Sequence, residues 1–150
     1  MTTRAMIDDF LAQRTLAVVG VSRRAEKFGN MVYRELKAKG YRVFAVNPNA
    51  ESVADERCYP SLAALPEPVD GVVIVVPPAQ AERVVQEAAA AQIRRVWMQQ
   101  GAESEAAIRF CEENGIGVVS GECVMMFARP IGFGHGMHRW VWGLLGKLPK

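Results

Sequence analysis

Cysteine is scarce in this 150-residue chain: Cys58, Cys111 and Cys123 are odd in number, far apart, and form no CxxC pair. That pattern suggests neither a disulfide framework nor a structural zinc site, and predicts reduced thiols. No apolar run approaches the roughly 18–20 residues a membrane span needs, which excludes an integral membrane helix. Asp8 and Asp9 interrupt the first segment before a signal-peptide core forms, so a cytoplasmic location is expected. Charge of one sign is also lacking. A formal net charge of +2 does not suit nucleic acid, whose binders carry a clustered basic face. Histidine is limited to His135 and His138, neither beside an acid. They offer no metal-ligand spacing and no oriented general base. GxSxG, HExxH and Walker A patterns are missing as well, so no catalytic or metal residue is assigned and a non-enzymatic protein is expected.

Half of the residues are hydrophobic and 23% are charged, proportions of a packed globule with room for one domain. Met6, Ile7, Phe10 and Leu11 predict a short amphipathic helix. Thr15 to Val19 is a β-branched apolar run suited to a strand buried on both faces. Met31, Val32 and Leu36 then mark a helix that closes at Lys39-Gly40. The alternation continues. Strands are predicted at 41–46, 72–76, 95–98 and 116–119, with helices through Ala81, Val84, Val85 and Ala88 and over 105–113. Strands separated by helices predict βαβ units in a single, Rossmann-like, doubly wound parallel sheet of the α/β class. In such sheets ligands bind beyond the carboxyl ends of the strands, so function is expected in the loops after Val19, Val46, Val76 and Met98.

In the first loop, Gly20 directly follows the strand and Val21-Ser22-Arg23 leads through Lys27 into a helix. Glycine lets the backbone approach a phosphate, the helix start supplies N–H groups, and Ser22, Arg23 and Lys27 supply donors. The loop is neither GxGxxG nor a Walker A motif, because Ser22 stands where a second glycine would be. Beyond the second strand stands Asn47-Pro48, where an NAD site needs a carboxylate for the ribose. A nucleotide with an additional ribose phosphate, NADP or coenzyme A, fits better; a plain turn explains the dipeptide equally well. The third loop, Val76-Pro77-Pro78, is rigid and apolar, a wall for an adenine or simply a good helix start. The fourth holds Gln99, Gln100 and Gly101, paired amides that either meet a ligand or close a polar network.

In this order and spacing, Gly20-Val21-Ser22 with Lys27, Asn47-Pro48, Val76-Pro77-Pro78, Gln100-Gly101 and Cys123 resemble the CoA-binding domain family. Its members include small stand-alone relatives of the nucleotide-binding domain of succinyl-CoA ligase alpha subunits. The resemblance runs from about Asp8 to Met126. It implies coenzyme A across the carboxyl ends of the strands. Gly20, Ser22, Arg23 and Lys27 would hold phosphates, and Asn47 and Pro48 the adenosine end. Val76 and Pro77 would line the adenine, with Gln100 and Gly101 near the pyrophosphate or pantetheine. Cys123, just past the last strand, would lie where its thiol can meet the CoA sulfur. The chain departs from many relatives after Cys123: they carry a Lys and a His where it has Val124-Met125-Met126-Phe127-Ala128.

Residues 1–128 are thus expected to form the CoA-binding domain. Residues 129–150 are expected to add a glycine-rich segment and a helix with Met137, Trp140, Val141, Leu144 and Leu145 on one face, packed on the domain or across a homodimer. The expected function is binding of CoA or an acyl-CoA as a carrier, sensor or regulatory protein. Two alternatives stand beside it: an NADP-dependent oxidoreductase, and a subunit lending a CoA site to a ligase or acyltransferase partner.

Overall fold

The computed structural model describes residues 2–24, 27–53 and 56–128. The expected C-terminal helix, both histidines and any dimer contact through that helix lie outside the described residues.

The chain opens with α1 (Arg4–Leu11), started by Thr3, whose hydroxyl accepts from the Met6 N–H at 3.2 Å. Then follow β1 (Thr15–Val19), α2 (Phe28–Ala38), β2 (Arg42–Val46), β3 (Ser52–Val53), β4 (Glu56–Tyr59), β5 (Gly71–Ile74), α3 (Pro78–Ala90), β6 (Arg95–Gln99), α4 (Glu105–Glu113), β7 (Gly117–Glu122) and α5 (Val124–Phe127). A 3₁₀ turn over Leu62–Ala64 lies between β4 and β5.

The seven strands run in the order β3-β4-β2-β1-β5-β6-β7. All pairs are parallel except β3 with β4, so β3 is an antiparallel edge. Numbered by themselves, the six mutually parallel strands stand 3-2-1-4-5-6, the order of a Rossmann sheet. The doubly wound α/β expectation holds. Along β1 the pleat sends Leu16 and Val18 into the core under α1, α2 and α5, and Ala17 and Val19 into the core under α3 and α4. That two-sided burial is why Thr15 to Val19 reads as an unbroken apolar run.

Three details differ from the pattern reading. The 72–76 strand starts at Gly71 and ends at Ile74, releasing Val75 and Val76 into the loop before α3. The last strand runs on to Glu122, placing Cys123 at the carboxyl edge. Within α2 the buried face is Gly29, Asn30, Val32, Tyr33 and Leu36, while Met31 is exposed. Among the described residues, no helix is long and apolar enough to cross a membrane.

Candidate functional site

The winding reverses between β1 and β5, and the chain is tightest there. Gly20 leaves β1 with φ +121°, a left-handed conformation that side chains disfavour. A Cβ on Gly20 would sit on the Val75 carbonyl oxygen. From the other side, α2 approaches so closely that a Cβ on Gly29 would collide with the Gly20 carbonyl oxygen. The turn after β1 is therefore wedged between the β5 exit and the first turn of α2, with no space for any side chain but hydrogen.

Two asparagines hold this turn from opposite sides. Asn30, buried in α2, accepts from the Ser22 N–H at 2.6 Å through Oδ1 and donates to the Ser22 carbonyl at 2.7 Å through Nδ2. Asn47, past the end of β2, donates to the Val21 carbonyl at 2.6 Å and accepts from the Asn49 N–H at 2.7 Å. Both backbone polar groups of Ser22 and the carbonyl of Val21 are thereby satisfied without a regular element. The Ser22 hydroxyl accepts from the Arg24 N–H at 3.1 Å, and Val21 turns its side chain into the core.

Arg23 and Lys27 are exposed on this loop, Lys27 as the residue that caps α2 with no side-chain hydrogen bond to its N–H groups. The helix start and two exposed cations therefore lie on the same short loop. Such a donor set suits a phosphate or diphosphate. Val76 is half-buried against the core under α3, Pro77 and Pro78 are exposed, and Pro78 takes the first position of α3. Pro48 is exposed at the β2 exit, on the rim of an open cavity of about 710 Å³.

The fold therefore brings together Gly20, Val21, Ser22, Asn47 and the Val75-Val76 exit. Gln100, Gly101 and Cys123 belong to the neighbouring β6 and β7 ends. Gln100 is exposed, and the Gly101 N–H donates to a Glu103 carboxylate oxygen at 2.5 Å. The buried amide at this strand end is Gln99, which donates to Cys123 Sγ at 2.9 Å and accepts from the Val124 N–H at 2.9 Å. Of the paired amides, Gln99 closes the polar network and Gln100 faces outward. Cys123 is buried, its sulfur engaged by that amide. Burial pushes the Cys58 thiol up, opposed in smaller part by backbone hydrogen bonding at Asn47 and Tyr59, and it pushes Cys111 up to about 12. Those two thiols stay protonated at neutral pH. Burial likewise raises the Glu122 carboxyl at the end of β7. Among the described residues no group of three His, Cys, Asp or Glu side chains converges on a metal-sized site.

Gly29 and Asn30 are the supporting residues that pattern reading did not single out. A polar side chain on the buried face of an amphipathic helix was the available signal for Asn30.

A family model described as a CoA binding domain matches residues 14–129. Over 71 residues the chain is 37% identical to the ADP-forming acetate–CoA ligase II of Archaeoglobus fulgidus, covering 46% of this chain and 10% of the ligase. The chain thus spans about a tenth of the length of that relative. It is 28% identical over 123 residues to the uncharacterized protein YneT of Bacillus subtilis, covering 81% of this chain and 91% of that protein. Among solved structures, a conserved hypothetical protein from Pyrococcus furiosus superposes with a TM-score of 0.70 at 40% identity, covering 74% of this chain and 96% of that one.

Proposed function

Because this chain belongs to the CoA-binding domain family, we propose that it binds coenzyme A or an acyl-CoA across the carboxyl ends of β1, β2, β5 and β6. One observation carries the reading: the matched residues 14–129 contain every strand-end loop around the switch point. In the proposed complex the pyrophosphate lies at the start of α2, against the Gly20–Ser22 backbone, with Arg23 and Lys27 neutralising its charge. Asn47 and Pro48 flank the adenosine, and Val76, Pro77 and Pro78 form its apolar wall. Gln100 and Gly101 border the path of the pantetheine toward Cys123.

The role proposed is binding without chemistry, as a carrier, sensor or regulatory unit. The burial of Val124, Met125 and Phe127, just past Cys123, supports it, since those side chains pack into the core instead of facing a ligand. A second reading, a domain that lends its CoA site to a ligase partner, is favoured by the match to a segment of an acetate–CoA ligase. Co-purification of a ligase subunit that turns over only with this chain present distinguishes the two.

The binding claim is tested by titration calorimetry on the wild type and Lys27→Ala. An exposed lysine can be removed without disturbing the core, and a charge-assisted phosphate contact is worth about 1.5–3 kcal/mol. The expected result is CoA binding weakened roughly ten- to hundred-fold in the variant. Equal affinities would remove Lys27 from the site.

A further inference from the structure

The cavity at the β2 exit reaches past Asn47 and Pro48 to the sheet edge, where Glu51, Arg57, Cys58 and Pro60 complete its lining. This part of the molecule is built by β3 and β4, which no motif announced. Arg57 is exposed on β4, and its guanidinium lies over the Tyr59 ring, 5.1 Å from the centroid. Tyr59 is itself fixed edge-on against Phe44 of β2, with ring centroids 5.8 Å apart. A cation stacked on a braced ring keeps its planar N–H fork oriented while losing little conformational freedom on binding. Glu51 lines the same cavity, yet no ion pair joins it to Arg57.

The cavity is rigidly tied to the loop after β1. The Asn47 N–H donates to the Tyr59 carbonyl at 2.8 Å, while its side chain holds the Val21 carbonyl. One residue thus joins the β4 end, the β2 exit and the phosphate-facing turn. A ligand with its diphosphate at the start of α2 and its adenosine beside Pro48 would direct its ribose into this cavity.

From this juxtaposition we infer that Arg57 is a specificity-determining residue that reads the ribose 3′-phosphate, so that the chain separates CoA from dephospho-CoA. The inference rests on the CoA-binding reading above and adds to it a named residue and a direction of selectivity. A guanidinium meets a phosphate dianion with two parallel N–H···O bonds, whereas a bare ribose hydroxyl gives it far less. The Glu51 carboxylate, which lines the same cavity, can accept from the neighbouring 2′-hydroxyl.

The experiment is a pair of calorimetric titrations, CoA and dephospho-CoA, on the wild type, Arg57→Ala and Arg57→Lys. The wild type is expected to prefer CoA by roughly ten- to hundred-fold. Arg57→Ala should lose that preference by weakening CoA while leaving dephospho-CoA within about two-fold. Arg57→Lys, which keeps the charge but not the planar fork, should fall between. A wild type that binds both ligands equally overturns the inference and leaves CoA binding intact, as does an Arg57→Ala variant that weakens both alike. A wild type that binds neither ligand overturns the CoA-binding reading beneath it.

Discussion

Removing the Asn30 amide leaves the Ser22 N–H and carbonyl without partners in a half-buried turn, a loss of about 1–3 kcal/mol. Asn30→Ala should therefore lower the urea midpoint and, because Ser22 loses its position, weaken CoA in parallel. A variant with an unchanged midpoint would show that the turn holds its shape without the clamp. Cys111 gives a pH-dependent prediction. Its thiol is raised from 9.0 to about 12 by burial, with Glu112 adding a smaller push. As pH rises above 9 the unfolded chain releases this proton while the folded chain keeps it. The stability difference is absent below pH 9 and grows toward pH 12. Midpoints measured across that range should fall more steeply for the wild type than for Cys111→Ala; parallel slopes would contradict the assignment. Legibility at this scale depended on distance along the chain. Gly20 and Ser22 could be read because they directly follow an apolar strand. Asn30 showed only as a polar residue on a buried helix face; its partner lies eight residues away, and only the path of the loop brings them together. The choice between Gln99 and Gln100 was hidden for another reason: β6 is buried on both faces from Val96 to Gln99, so no alternation marks which amide lies inside.

The β3–β4 edge shows how an element escapes pattern reading. Glu-Arg-Cys-Tyr has two charges and one fully buried residue, with backbone bonds to Asn47 and Glu51. It is held by its ladders with β2 and β3, and without a hydrophobic run there was nothing periodic to detect, whereas β1 and β5, buried on both faces, were evident. Glu56 joins this edge to α2 by accepting from the Tyr33 hydroxyl and pairing with Lys37. Because Lys37 and Glu56 are both nearly half exposed, the ion pair itself contributes little. The packing of α2 on β1 is a different matter. Gly29→Ala forces α2 away from the Gly20 carbonyl, an overpacking cost of about 1–3 kcal/mol. The variant should melt lower and lose ligand affinity together; a melting temperature equal to the wild type would mean that α2 does not press on the turn.

For the whole molecule, a 3-2-1-4-5-6 parallel order puts the exits of β1, β2 and β5 side by side at one end, and the hydrogen-bonded turn Gly20–Ser22 lies at their junction. Alternating strands and helices made the doubly wound class readable in advance, but not β4, the third of its parallel strands. The amphipathic helix expected beyond Ala128 falls outside the described residues. Family membership and this geometry support one central claim, the proposal that these strand-end loops take coenzyme A in preference to a nicotinamide dinucleotide. The most direct test is a thermal-shift series with CoA, NAD and NADP at equal concentration. A ligand at a hundred times its dissociation constant adds about 2.7 kcal/mol, a rise on the order of 5–10 °C for a domain of this size. The account predicts that rise with CoA and little with NAD or NADP. A rise with NADP and none with CoA would contradict it.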